Sequence, residues 1–321
     1  MNSDRLPRLA VVGNGVVGQR VAKRLAVIGD AAPIVHVDTR DSDPVRSYRF
    51  EGVDVAVLAH PGPHHATVRA LLDRGIHVVS VGDRVDDVDL MRSEGGRAAD
   101  NGCTLVLGAG MSPGLTGLIA RHLASDFWTV DEIHIAVHGT AGPACARQHH
   151  HVLSGASIAY FDGRFETARA GSGRELNWFP EPVGPYDCYR AELPSPVLLH
   201  EVFPEAGRIT ARMSANRRDR LTSRLPMLAR PHREGGVGAV RVEVRGADST
   251  GARHTMVAGI AEMVGTASAA TAAAYVEMIR SGGLRDGLVL PGDPEVDTTR
   301  LLHLVERFGV RLQEFTGVAS A

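Results

Sequence analysis

The chain has 321 residues, a formal net charge of −2 at pH 7 and three cysteines. That length holds two domains and a sizeable core, and the near-zero charge excludes a field drawing the whole molecule to nucleic acid or a membrane surface. Cys103, Cys145 and Cys188 are widely spaced, which fits a reducing, cytoplasmic setting without a disulfide framework; the opening MNSDRLPRL has no apolar segment, and no apolar run reaches spanning length.

In chain order, Leu9-Ala10-Val11-Val12 is a short apolar run of the kind that forms a strand buried on both faces. It enters Gly13-Asn14-Gly15-Val16-Val17-Gly18, a G-x-G-x-x-G turn, and then a helical pattern. In a dinucleotide site the first glycine allows the tight turn, the second lets backbone approach a pyrophosphate, and the third lets helix and strand pack closely. Pro33 to Asp38 reads as a second strand whose acid stands about 20 residues beyond Gly18, where an adenosine ribose diol would be bound. Asp38 with Thr39 predicts NAD; Arg40, two residues on, keeps NADP open by offering a partner for a 2′-phosphate. Lys23, on the first helix, is the only lysine, which excludes chemistry that needs a lysine amine at the reacting centre.

Strands at 53–59, 76–81 and 103–107 alternate with helices at 66–73 and 89–100, which predicts a doubly wound parallel sheet over residues 1–125. Ligands in such sheets lie beyond the carboxyl ends of the strands. Three loops therefore belong beside the nicotinamide: 59–65, with Ala59, His60 and Pro61; 80–83, with Ser80, Gly82 and Asp83; and 108–114, with Gly110, Met111 and Pro113. From about Val130 the pattern becomes alternating, as in strands with one wetter face. Strands at 133–137, 208–213, 238–245 and 254–259, with a helix over 216–228, predict a second α+β domain at 126–289 with an open, mostly antiparallel sheet. Helices follow at 266–281 and 298–308, and the closing stretch 290–321, with Gly309 to Phe315, is expected to return to the first domain.

Four segments resemble the saccharopine dehydrogenase-like family: VVGNGVVGQRVAKRLA, VDVAVLAHPGPHHATVRALLDRGIHVVSVGD, CTLVLGAGMSPGLTGLIARHLA and VGTASAATAAAYVEMIRSGGLRDGLVLPGD. The resemblance implies a Rossmann nucleotide domain, a homodimer, and hydride transfer at a C–N bond of an amino-acid-like small molecule, as imine reduction or amine oxidation. It leaves about 140–235, where the substrate is chosen, poorly matched. A non-catalytic dinucleotide-binding regulator and a dehydrogenase acting on a C–O bond stay open beside it.

For substrate carboxylates the second domain offers Arg208, Arg212, Arg217, Arg218, Arg220 and Arg224, since the guanidinium fork suits bidentate binding. Arg208 and Arg212 share a strand face, and Tyr160 is a further polar candidate. For the proton, histidine titrates nearest neutrality. His64 and His65 stand in a loop expected near the nicotinamide, and His149, His150 and His151 with Cys145 are conspicuous in the second domain. Of these, His64, His65, His150 and His151 are the catalytic candidates. Three adjacent histidines cannot converge on one metal ion in a regular element, and no other spacing suggests a metal site.

Overall fold

A computed structural model describes residues 7–27, 50–227 and 230–315, with the backbone of 35–37. Asp38, Thr39 and Arg40 lie outside the described residues. The first half runs β1 (Leu9–Val12), α1 (Val16–Val27), β2 (Val35–Val37), β3 (Val55–Leu58), α2 (His65–Leu72), β4 (His77–Ser80), α3 (Val85–Arg92), α4 (Gly95–Asp100), β5 (Thr104–Val106) and α5 (Thr116–Ala124). Then come β6 (Thr129–His138), α6 (Pro143–His151), β7 (Ala156–Phe161), β8 (Arg164–Arg169), β9 (Glu175–Trp178), β10 (Pro185–Arg190), α7 (Ser195–Val202), β11 (Arg208–Ser214), α8 (Arg217–Thr222), β12 (Val237–Ala247) and β13 (Arg253–Met263). The chain closes with α9 (Val264–Arg280), β14 (Gly287–Val289), α10 (Thr298–Arg307) and β15 (Gln313–Glu314).

The first sheet has six strands in the order β14-β5-β4-β3-β1-β2, and every pairing is parallel. β1 and β3 are buried at every position, as continuous apolar runs require when helices cover both faces. The chain leaves β1 for β2 on one side and returns to β3 on the other, so the switch point, where ligands bind, lies between the ends of β1 and β3. One helix expected at 89–100 is two, α3 and α4.

The second sheet has nine strands, with β15-β13-β12-β6-β11-β10-β9 in line and the β7–β8 hairpin branching from β11. It is mixed: β11 pairs parallel to β6 and antiparallel to β10, while β12 and β13 form a long hairpin. The helix expected over 216–228 is the short α8.

Two expectations for the end of the chain are corrected. The return to the first sheet begins at β14, inside the stretch given to the second domain. Gly309 to Phe315 does not return there: β15 pairs with β13, and Phe315 N–H donates to Val257 O at 2.8 Å. The outer edge of β13 would otherwise present unpaired backbone groups, and β15 satisfies some of them.

α9 is an Ala-rich helix with fourteen buried residues, apolar on nearly every side, as a helix enclosed by others must be. No described helix is long and apolar enough to cross a membrane.

Candidate functional site

The glycine turn meets three separate demands. Gly13 has φ +119, and a Cβ there would lie 2.9 Å from the Ala59 backbone, so glycine permits the close approach of the β1 and β3 ends. A Cβ on Gly18 would run into the Gly13 carbonyl. A Cβ on Gly15 would meet nothing within 4 Å, because it would project into open space. The first bond of the turn into α1 is Gln19 N–H to Gly15 O at 3.0 Å, which leaves the N–H groups of Val16, Val17 and Gly18 without helical acceptors. Open space over Gly15, free N–H groups and the positive end of a twelve-residue helix fit a dinucleotide pyrophosphate.

Above this turn lies a cavity of about 450 Å³. Ala59–Gly62, Val81–Asp83 and Gly110–Ser112 line one wall, so all three strand-end loops reach it. The other wall is α6 from Pro143 to His149, with Val137, Leu193 and the start of α9. Val16 is gripped between two glycines of this second wall: a Cβ on Gly142 or on Gly265 would lie 2.8 Å from one of its methyl groups. Arg20 bonds Thr266 Oγ1 at 3.0 Å and pairs with Glu234 at 3.1 Å, tying α1 to the second domain.

The structure separates the expected residues. Gly13, Asn14, Gly15, Val16, Val17, Ala59, His60, Pro61, Gly82, Asp83, Gly110 and Met111 line the cavity. Ser80, Gly18 and Pro113 do not; Ser80 is fully buried, and Gly108 lies so close to Pro113 that a Cβ there would collide with its ring.

His64 and His65 stay out of the cavity. His64 is fully buried, its Nε2–H donating to His60 O at 2.9 Å and its Nδ1 accepting from Ser80 Oγ–H at 2.8 Å; Ser80 Oγ in turn accepts from Gly82 N–H at 3.1 Å. Burial and the neighbouring His60 push its pKa down to about 4, so it is uncharged at neutral pH. His65 Nε2 meets Glu94 at 2.8 Å, on the side facing α4. Asp87 explains why two histidines start α2: its carboxylate accepts the His64 N–H at 2.6 Å and the His65 N–H at 3.0 Å, capping the helix from α3.

The α6 histidines divide by helical position. His149 lines the cavity, with Nε2 3.7 Å from Cys145 Sγ and 3.6 Å from Asp83 Oδ2. His150, one residue on, does not line this cavity but a second one beside α8, where its Nε2 meets Thr222 O at 2.9 Å and Leu225 O at 3.1 Å. His151 is exposed. The sequence clue to His149 was its spacing of four from Cys145, which puts both on one helix face.

A second cavity, about 940 Å³, shares His149 as a wall and extends between α6, β10, β11 and α8. Arg174, Arg218 and Arg230 line it, and Arg174 pairs with Asp187 at 2.9 Å. The expected pair do not. Arg208 lies 3.7 Å from Glu132, and Arg212 meets Glu175 at 2.8 Å. Tyr160 stacks on His200 with ring centroids 3.7 Å apart. These three residues are spent on packing and ion pairs. Among the described residues no group of three or more His, Cys, Asp or Glu could hold a metal ion.

No protein-family model matches the sequence, and no curated protein matches it. Solved structures do match. Apo saccharopine dehydrogenase (L-Glu forming) from Saccharomyces cerevisiae has a TM-score of 0.71 at 13% identity, over 96% of this chain and 99% of that one. The chain has that fold. DAP dehydrogenase of C. glutamicum, in complex with DAP, gives 0.47 at 15% identity over 92% and 95% of the two chains. An engineered D-amino acid dehydrogenase bound to NADP+ gives 0.48 at 16% identity over 92% and 96%. The likeness covers both sheets, the first of them a Rossmann-like parallel sheet.

Proposed function

We propose that this chain is an NAD(P)-dependent oxidoreductase that transfers a hydride at a C–N bond of an amino-acid-derived substrate, as imine reduction or amine oxidation. The observation that carries the reading is the cavity itself: the glycine turn, three strand-end loops and one side of α6 converge on a single cleft. The fold the chain shares with saccharopine dehydrogenase supports the substrate class.

When bound, the dinucleotide supplies or takes up the hydride at its nicotinamide. The chain's own residues do the rest. Val16 and Val17 N–H groups would hold the pyrophosphate at the α1 N-terminus. Asp38 accepts the ribose hydroxyls, which favours NAD; Asp38→Ala should erode a preference for NADH over NADPH in fluorescence titrations, and an unchanged ratio would refute the assignment. His64 and Ser80 brace the loops bearing His60 and Gly82. In the second cavity, Arg218 and Arg230 form no ion pair among the described residues and offer their forks to a substrate carboxylate.

The deciding experiment is NADH oxidation with pyruvate, 2-oxoglutarate or glyoxylate, each paired with ammonia, L-lysine or L-glutamate, and NAD reduction with amino acids in the reverse direction. Turnover supports the reading. NADH binding without turnover across the panel would favour a dinucleotide-binding regulator. The reading carries a cytoplasmic homodimer with it, and sedimentation would check the dimer.

A further inference from the structure

Four titratable side chains line the cofactor cavity: His60, Asp83, Cys145 and His149. Two of them are imidazoles with one buried nitrogen that has no hydrogen-bond partner, Nε2 of His60 and Nδ1 of His149. Buried polar atoms without partners are rare, and at a site they mark where a ligand completes the bonding. The two rings differ in what surrounds them. His60 holds its Nδ1 against Pro61 O at 2.7 Å, and burial lowers its pKa, so it stays neutral. His149 faces an acid. Asp83 stands 3.6 Å from its Nε2, and Gln148 anchors the other Asp83 oxygen. Burial opposes a charge on His149, but Cys145 and Asp83 outweigh it and lift its pKa well above the ordinary histidine value. A cleft whose two imidazoles are driven apart in this way has its acid and its neutral partner assigned.

His149 also has a place no other described residue has: it lines both the cofactor cavity and the second cavity. Its side chain is 15% exposed and stands beside both chambers.

We propose that His149 is the proton-transfer residue of the hydride reaction, exchanging a proton through Nδ1 with the substrate nitrogen while Asp83 and Cys145 hold the ring from the Nε2 side. The proposal rests on the hydride-transfer reading of the cleft and adds the proton's route to it. In the reducing direction, the imine carbon takes the hydride with its electron pair, the C=N π pair moves to nitrogen, and the His149 imidazolium gives the proton that completes the N–H bond. Neutral His149 then regains a proton from water in the second cavity. In the oxidising direction, neutral His149 takes the proton from the amine nitrogen before the carbon gives up its hydride. The reduced or oxidised nicotinamide is the co-reactant in each case, so atoms and electrons balance.

Charged and titratable groups surround the ring on both sides. Asp83 faces it from the loop after β4 and Cys145 from its own helix, while the second cavity brings the acids Asp187 and Asp219, the bases Arg174, Arg218 and Arg230, and His138, His150, His232 and Tyr186. Of these, Asp83 and Cys145 are the neighbours that raise its pKa against burial.

The test compares wild type, His149→Gln and His149→Gly, using NADH and the oxo-acid and amine panel above. In His149→Gln, NADH affinity by fluorescence should stay within threefold, while kcat for imine reduction falls about 10²- to 10⁴-fold. The limb of the wild-type profile in which kcat falls as pH rises through the His149 pKa should vanish, and free imidazole should restore part of the turnover of His149→Gly. A readout independent of turnover is the NMR titration of the imidazole in the apoprotein: the His149 resonance should titrate above the ordinary histidine value and move down in Asp83→Asn. His149→Gln turning over within threefold of wild type at every pH, or a ring titrating at or below the ordinary value, overturns the proposal. A wild type that binds NADH and turns over nothing instead overturns the hydride-transfer reading, and the proposal with it.

Discussion

The two walls of the cleft treat their polar groups differently. His60 Nε2 apart, which has no partner, the bonding on the strand-end wall is complete: His64 has both ring nitrogens satisfied, Ser80 both donates and accepts, and Asp87 closes two N–H groups of α2. On the α6 wall it is not: His149 Nδ1 has no partner, and its Nε2 is held at long distances by Asp83 and Cys145. A saturated network costs free energy to disturb and fixes geometry, while an unsaturated one can trade bonds with a ligand. The contrast shows which histidines shape the cleft and which are free to act in it.

The largest expected break in this contrast comes from the floor. Gly15→Asp puts a carboxylate where the pyrophosphate would lie, and like charges in contact cost several kcal/mol. NADH affinity should fall about 100-fold or more, with the melting temperature unchanged because a Cβ there meets no atom within 4 Å. Loss of both binding and stability would show that the turn is structural.

Acid attacks the finished wall next. His64 is held neutral in the fold with its pKa near 4, against an ordinary histidine value of 6.5 in the unfolded chain. The unfolded state therefore binds the extra proton first. Stability is whole above pH 6.5 and declines as pH falls toward 4, by up to about 3 kcal/mol from this group. Urea unfolding at pH 7 and pH 4.5 should show that decline in wild type and a shallower one in His64→Gln.

Asp87→Ala strips the cap from α2 and leaves two N–H groups without their acceptor, one of them buried. We expect a loss of about 2 kcal/mol in urea unfolding, with NADH affinity reduced only through the loop that His64 braces. Smallest is His151→Ala, an exposed residue at the end of α6: stability should move by less than about 0.5 kcal/mol and turnover not at all. A large effect there would reopen the choice among the three α6 histidines.

The first sheet was legible because parallel strands covered on both faces must be apolar throughout, and Leu9–Val12 and Val55–Leu58 are. The glycine turn was legible because its demands are backbone demands, and glycine answers them visibly. The second domain was not, from β7 to β10, where strands are short and partly exposed and α6, PACARQHHH, has little apolar stripe to betray a helix. Choosing among His149, His150 and His151 needed the face of α6 that meets the cleft, because neighbours on a helix point about 100° apart. The arginines misled for a similar reason. Arg208 and Arg212 do share a strand face, but their acids, Glu132 and Glu175, arrive from β6 and β9, and only the sheet order reveals that.

The small-residue helix α9 carries a last consequence. It leaves β13 of one sheet, packs on α1 through Gly265 and Val16, and delivers the chain to β14 of the other. Its alanines give up almost no rotamer freedom on burial, and dense packing passes strain on rather than absorbing it. Two sheets joined through such a core should melt together. Calorimetry should record one endotherm, and NADH should raise its temperature without splitting it, since ligand bound at the starts of α1 and α9 stabilises both sheets at once.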